Sequence, residues 1–117
     1  MDRLRKLEID IKREISFIIN NEVKDPRIGF ITITDVELSP DHQKLKVFVS
    51  IMGEEENIEK GLEGLNNSIG FIKKKIKDRL RLRKIPYIKF IYDKSIDKGL
   101  RISKILDNLN KNKDIDK

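Results

Sequence analysis

The chain has 117 residues, 38% hydrophobic and 39% charged, with 26 Lys and Arg against 20 Asp and Glu and no Cys. That length fits one domain with a single two-layer core. The absence of Cys excludes a disulfide framework and a thiolate metal site, and no apolar run is long enough to span a membrane. Met1-Asp2-Arg3-Leu4-Arg5-Lys6 is charged where a secretory signal needs an apolar stretch, so a cytoplasmic protein is expected.

Leu4, Leu7, Ile11, Ile15, Ile18 and Ile19 follow a helical period and predict a first helix over about residues 2–22. Arg5, Glu8, Lys12 and Arg13 fall on its opposite, outer face. Asp25-Pro26 stops it, because a residue before proline avoids the helical region. Phe30 to Leu38 is rich in β-branched residues and reads as a strand. Its apolar parity slips, with Ile31 and Ile33 odd but Val36 and Leu38 even. A β-bulge near Thr34-Asp35 returns both pairs to one face. Ser39-Pro40-Asp41-His42 is a turn, and Lys44 to Met52 a second strand, antiparallel to the first. Leu45, Val47, Val49 and Ile51 face inward; Lys46, Phe48 and Ser50 face outward.

A second helix is expected with Asn57 as its cap and Ile58, Leu62 and Leu65 as its buried stripe. The preceding Glu54-Glu55-Glu56 suits a helix N-terminus. Asn66-Asn67-Ser68-Ile69-Gly70 breaks the pattern. A basic helix then runs from Phe71 to about Leu82, with Ile69, Ile72, Ile76 and Leu80 as its apolar stripe, and Pro86 ends it. Tyr87 to Tyr92 makes a third strand, with Ile88 and Phe90 on one face. Ser95 caps a last helix carrying Ile96, Leu100, Ile102, Ile105, Leu106 and Leu109. A single domain is expected over residues 1–109, followed by a short disordered tail at 110–117.

Charge is unevenly placed. Residues 65–92 hold nine basic groups and one acid, whereas residues 54–64 hold one Lys and five Glu. Such a concentration points to a directed cationic surface, and phosphate neutralisation is its usual use. The competing reading is a solvated face in a chain with no Ala and abundant Ile, Lys and Asn. The element order predicts an α+β fold, a three-stranded sheet packed against helices on one face. A helix–short break–helix unit beside such a sheet is the layout of KH-type RNA-binding domains.

Several longer motifs carry a more specific signal. These are Glu22-Val23-Lys24-Asp25-Pro26-Arg27-Ile28-Gly29, Ile31-Thr32-Ile33-Thr34-Asp35-Val36-Glu37-Leu38-Ser39-Pro40-Asp41, Leu65-Asn66-Asn67-Ser68-Ile69-Gly70-Phe71-Ile72 and Leu82-Arg83-Lys84-Ile85-Pro86. With Phe90, Asp93, Ser95 and Ile96 they resemble the ribosome-binding factor A family from Arg5 to about Leu106. The resemblance implies a type II KH-like domain with a helix–kink–helix unit at Ser68-Ile69-Gly70, where Ser68 takes the place of the family's Ala. It also implies a non-enzymatic ribosome assembly factor without a cofactor. Such a factor binds the free small (30S) subunit and 16S rRNA, and assists late maturation and 5′-end processing, notably in the cold. No membrane partner is implied, and a monomer is expected.

The candidate RNA-binding residues are Ser68, Gly70, Lys73, Lys74, Lys77, Arg81, Arg83, Lys84 and Arg27. Gly70 is expected to supply backbone freedom at the kink. The Ser68 hydroxyl has two uses open to it, a backbone bond or a phosphate. Arg83 and Lys84 also suit the dipole at a helix C-terminus, and Arg27, beside Asp25-Pro26, could equally form a loop salt bridge. Phe48 and Tyr92 are candidates for base stacking or edge packing. His42, the lone histidine, reads as a solvated turn residue. Two other functions remain open: a general KH-like RNA-binding protein, and an RNase holding Mg²⁺ on Asp25, Asp35 and Asp41.

Overall fold

The computed structural model describes residues 2–29 and 31–94. The expected strand start at Phe30, the closing helix from Ser95 and the tail lie outside the described residues. Helix α1 spans Arg3–Asn21. The carboxylate of Asp2 caps it by accepting from the Arg5 backbone N–H at 2.7 Å. Ile11, Ile15, Ile18 and Ile19 are buried along one stripe. At its end the amides of Glu22 and Val23 both donate to the Ile18 carbonyl, at 2.8 and 2.9 Å.

Strands β1 (Ile31–Leu38) and β2 (Lys44–Ile51) form the expected antiparallel hairpin. The register shifts between Ile33 and Asp35, so the parity slip is indeed a bulge, and Ile31, Ile33, Val36 and Leu38 are all buried. The hairpin turn is closed by Ser39, whose hydroxyl oxygen accepts from the Gln43 and Lys44 amides at 3.1 and 2.9 Å. His42 completes the reversal in the left-handed region, φ 62°.

Helices α2 (Glu55–Asn67) and α3 (Ile69–Leu80) form the crossover to β3 (Tyr87–Tyr92), which lies parallel to β2. A parallel neighbour requires such a long connection. The sheet order is β1-β2-β3. Its inner face joins Leu45, Val47, Val49, Ile88 and Phe90 to Ile15 and Ile18 of α1, Leu65 of α2, and Ile72 and Ile76 of α3 in one core.

Three expectations about the helices are corrected. Helix α2 begins after Glu54, not at Asn57. Gly53 reverses the chain at φ 117°, directly beside the Asn57 side chain, so the helix starts at once, with Glu55 and Glu56 in its first turn. Asn66 and Asn67 belong to α2, and the break is Ser68 alone. Helix α3 ends well before Pro86: Arg81 enters the left-handed region, φ 53°, and the amides of Arg81 and Leu82 both donate to the Lys77 carbonyl.

Glu8 is a fourth correction. It is not on the outer face but buried, 9% exposed. Its Oε2 accepts from the Leu38 N–H at 2.7 Å, and its Oε1 from Arg5 at 3.1 Å. One turn later Lys12 Nζ donates to the Thr34 carbonyl at the bulge, at 3.2 Å. Polar side chains of α1 thus satisfy backbone groups of β1.

Candidate nucleic-acid interface

Helix α3 lies on the core through Ile72 and Ile76, 0% and 2% exposed. This placement splits its cations. Lys75 and Arg79 turn toward α1. Arg79 donates to Glu22 at 2.6 Å, stands 3.6 Å from Glu14 and covers the Phe17 ring at 5.6 Å. Lys75 is 3.9 Å from the same Glu22 carboxylate and 5.4 Å above the Phe71 ring. The hydrogen bond from Arg79 lowers the Glu22 pKa, and the same bond raises that of Arg79. These two cations hold α3 against α1.

The other cations of the stretch, Lys73, Lys74, Lys77, Arg81, Arg83 and Lys84, form no ion pair within 4.0 Å among the described residues. All but the half-buried Lys73 are exposed. Arg81, Arg83 and Lys84 lie beyond the helix, on the turn toward β3. Sequence selected this same set and omitted Lys75 and Arg79.

The remaining candidates are placed differently. The Ser68 hydroxyl points inward and donates to the Gly64 carbonyl at 2.9 Å, beside the Ser68 amide, which reaches the same oxygen at 3.1 Å. Of its two possible uses, the backbone bond is the one made. Gly70 is corrected: it has no left-handed φ, and a Cβ there would meet nothing within 4 Å. Of the two glycines that flank Ser68, the tight one is Gly64, packed under Ile28.

Arg27 forms the loop salt bridge. Its Nε and Nη2 donate to Asp25 at 3.0 and 2.7 Å, its backbone N–H donates to the same carboxylate at 2.9 Å, and its Nη1 is 3.3 Å from Glu63. The Asn67 amide, turned with its oxygen toward the guanidinium, accepts at 2.9 and 3.2 Å. Arg27 therefore clamps the Asp25-Pro26 loop onto α2. The hydrogen bond from its side chain lowers the Asp25 pKa to about 2.

The carboxylates proposed for Mg²⁺ are separately engaged. Asp25 holds Arg27, Asp35 is 3.6 Å from Arg5, and Asp41 accepts from Ser39 at 2.6 Å. Among the described residues no cluster of three or more His, Asp or Glu could hold a metal ion. Nor is any helix among them long and apolar enough to cross a membrane.

One feature was missed in the sequence. Tyr87 is 65% exposed at the start of β3, whereas Phe48 and Tyr92 are half-buried. Tyr87 opens onto a groove of about 280 Å³ shared with His42, Gln43, Lys73, Lys84 and Ile85. The available signal was parity: Ile88 and Phe90 inward put Tyr87 and Lys89 outward.

Fold and surface together define an α+β domain: a mixed three-stranded sheet, helices on its inner face, and a cationic helix running out into a basic turn. A sequence model of the family described as Ribosome-binding factor A matches residues 3–106. Ribosome-binding factor A of Natranaerobius thermophilus is 46% identical over 112 residues, 96% of this chain and 86% of that one. The crystal structure of ribosome-binding factor A from Thermus thermophilus superposes with a TM-score of 0.70 at 28% identity, covering 79% of this chain and 97% of that one. A homology model of the Thermus thermophilus factor, fitted into a cryo-EM map of its complex with 30S, gives 0.64 at 29% identity, covering 76% and 93%. The chain belongs to the ribosome-binding factor A family. That family serves ribosome and rRNA biogenesis and is not enzymatic.

Proposed function

We propose that this protein is a small-subunit assembly factor. It binds the free 30S subunit through 16S rRNA and assists late maturation and 5′-end processing of that RNA. The observation that carries this reading is the outward set Lys73, Lys74, Lys77, Arg81, Arg83 and Lys84, left without carboxylate partners among the described residues while Lys75 and Arg79 are neutralised on α1. The 30S complex of the Thermus thermophilus relative supports the choice of partner. The order helix, hairpin, helix, Ser68, helix, parallel strand supports a type II KH-like arrangement in which α2, Ser68 and α3 present the surface. Binding biases rRNA toward its mature conformation by differential affinity for the two states.

Co-sedimentation tests the reading. The protein should travel with free small subunits and not with complete ribosomes. Equal retention on any RNA of similar length would overturn it in favour of a general RNA-binding protein.

A further inference from the structure

Around Tyr87 the surface changes character, from cations alone to cations about an aromatic ring. The Tyr87 amide donates to the Gln43 carbonyl at 2.8 Å, so the start of β3 is pinned to the hairpin while the ring stays 65% exposed. Lys73 Nζ stands 5.9 Å from the ring centroid, and Lys84 lines the same groove. The nearest acid of the turn, Asp41, is directed away into the turn, where it accepts from Ser39 and from the Gln43 amide at 3.1 Å. No carboxylate lines the groove.

The outward sheet face continues this surface. Lys44 pairs in register with Tyr87, and Lys46 with Lys89, all exposed. Like charges set side by side across strands cost stability. Glu37 is the register partner of Lys46 on its other side but forms no ion pair within 4.0 Å among the described residues. A phosphate-bearing strand would relieve that repulsion. Lys44, Lys46 and Lys89 lie outside the lining of the groove and extend the cationic surface along the sheet, which favours a strand over a free mononucleotide.

We propose that the groove of His42, Gln43, Lys73, Lys84, Ile85 and Tyr87 is a stacking subsite for an unpaired nucleotide of single-stranded RNA. The base lies on the Tyr87 ring, Lys73 and Lys84 neutralise its flanking phosphates, and Lys44, Lys46 and Lys89 carry the strand across the sheet. Aromatic stacking tolerates any base because every base offers a π-face. The proposal rests on the RNA-binding reading above and adds the place where an unpaired base is held.

The chain contains two Tyr and no Trp, so stacking on Tyr87 can be followed as quenching of tyrosine emission. The full chain is titrated with an oligoadenylate of about five nucleotides, a duplex of matched length, and adenosine monophosphate. We expect quenching by the single strand and none by the duplex. Tyr87→Ala should weaken single-strand binding roughly five- to a hundredfold, and Tyr87→Phe should stay within about threefold of the parent. Circular dichroism of each variant checks the fold, which an exposed ring does not support. Unchanged binding by folded Tyr87→Ala, or equal quenching by the duplex, overturns the proposal. Mononucleotide binding as tight as that of the oligomer overturns it in favour of a free-nucleotide site. If the parent sediments with small subunits and Tyr87→Ala still binds the oligomer normally, only the subsite falls. If the parent fails to sediment but Tyr87-dependent oligomer binding persists, the assembly-factor reading falls and the subsite stands.

Discussion

Gly64 lies directly under Ile28: a Cβ added at residue 64 would stand 2.8 Å from Ile28 Cγ1. Arg27 Cβ and the Asp25 carboxyl carbon follow at 3.4 and 3.5 Å, ordinary van der Waals contact, so the clash falls on Ile28. Gly64→Ala should destabilise the fold by about 1–2 kcal/mol, since overpacking outweighs the gain in helix propensity. Gly70→Ala is the contrast. It fills open space on ordinary helical backbone and should be neutral or stabilising by up to about 1 kcal/mol. Urea denaturation of both variants checks the pair, and loss of stability in Gly70→Ala would contradict the structure.

The Asp25–Arg27 pair predicts an acid-sensitive loop. The folded-state pKa of Asp25 is lowered from 3.8 to about 2, first by the Arg27 side-chain bond and then by the Arg27 amide. A depressed carboxylate contributes stability that is fully present above its unfolded pKa and is lost as pH falls through the folded one. The advantage of the parent over Asp25→Asn should therefore be constant above about pH 4 and shrink toward pH 2. Thermal melts of both proteins across that range supply the difference. A difference independent of pH would remove the pair as its source.

The split of α3 predicts different outcomes for neighbouring lysines. Lys73→Glu with Lys77→Glu should weaken small-subunit binding with the fold intact. Each lost phosphate contact should reduce the steepness of the log–log salt dependence by about 0.7–0.9. Lys75→Gln, on the α1 side, should leave that slope unchanged. Binding measured at several salt concentrations separates the two faces.

Arg81 combines an unfavourable backbone with a useful charge. A non-glycine residue in the left-handed region costs roughly 1 kcal/mol or more. Arg81→Gly should stabilise the protein by about that amount while flattening the salt dependence of RNA binding. Chemical denaturation and a salt titration on the same variant should move in opposite senses.

Glu8→Ala should cost about 1–3 kcal/mol, because it leaves the buried Leu38 N–H without its acceptor. Glu8→Gln keeps an acceptor oxygen and should lose less. Equal losses in the two variants would assign the effect to the Arg5 ion pair instead.

Much of this architecture is legible in the residues. The parity slip between Ile33 and Val36 locates the bulge because strand side chains alternate faces strictly. The Ile72, Ile76 and Leu80 spacing orients α3, and with it the outward Lys74 and Lys77. What could not be read depends on groups distant in the chain. Glu8 lies within the apolar arc by period, four residues after Leu4 and three before Ile11, but its charge argues for the surface, and only the Leu38 amide explains its burial. Arg27 looks like an available cation until Glu63 and Asn67 come beside it. Gly64 and Gly70 are equivalent in sequence, and only the Ile28 side chain tells them apart. Tyr87 gains its neighbours from the hairpin turn and from α3, which meet only in three dimensions.

The crossover that makes β3 parallel to β2 also orders events in time. His42 and Gln43 belong to a hairpin of near neighbours, which closes early because little chain entropy is lost in joining it. Lys73, Lys84 and Tyr87 arrive only when the long connection has wrapped over the core and β3 has docked. In a chain synthesised from its N-terminus the hairpin side of the groove is therefore available well before the other. The groove is absent from any partly folded chain in which β3 is undocked. A complete groove is then a report that β3 has docked.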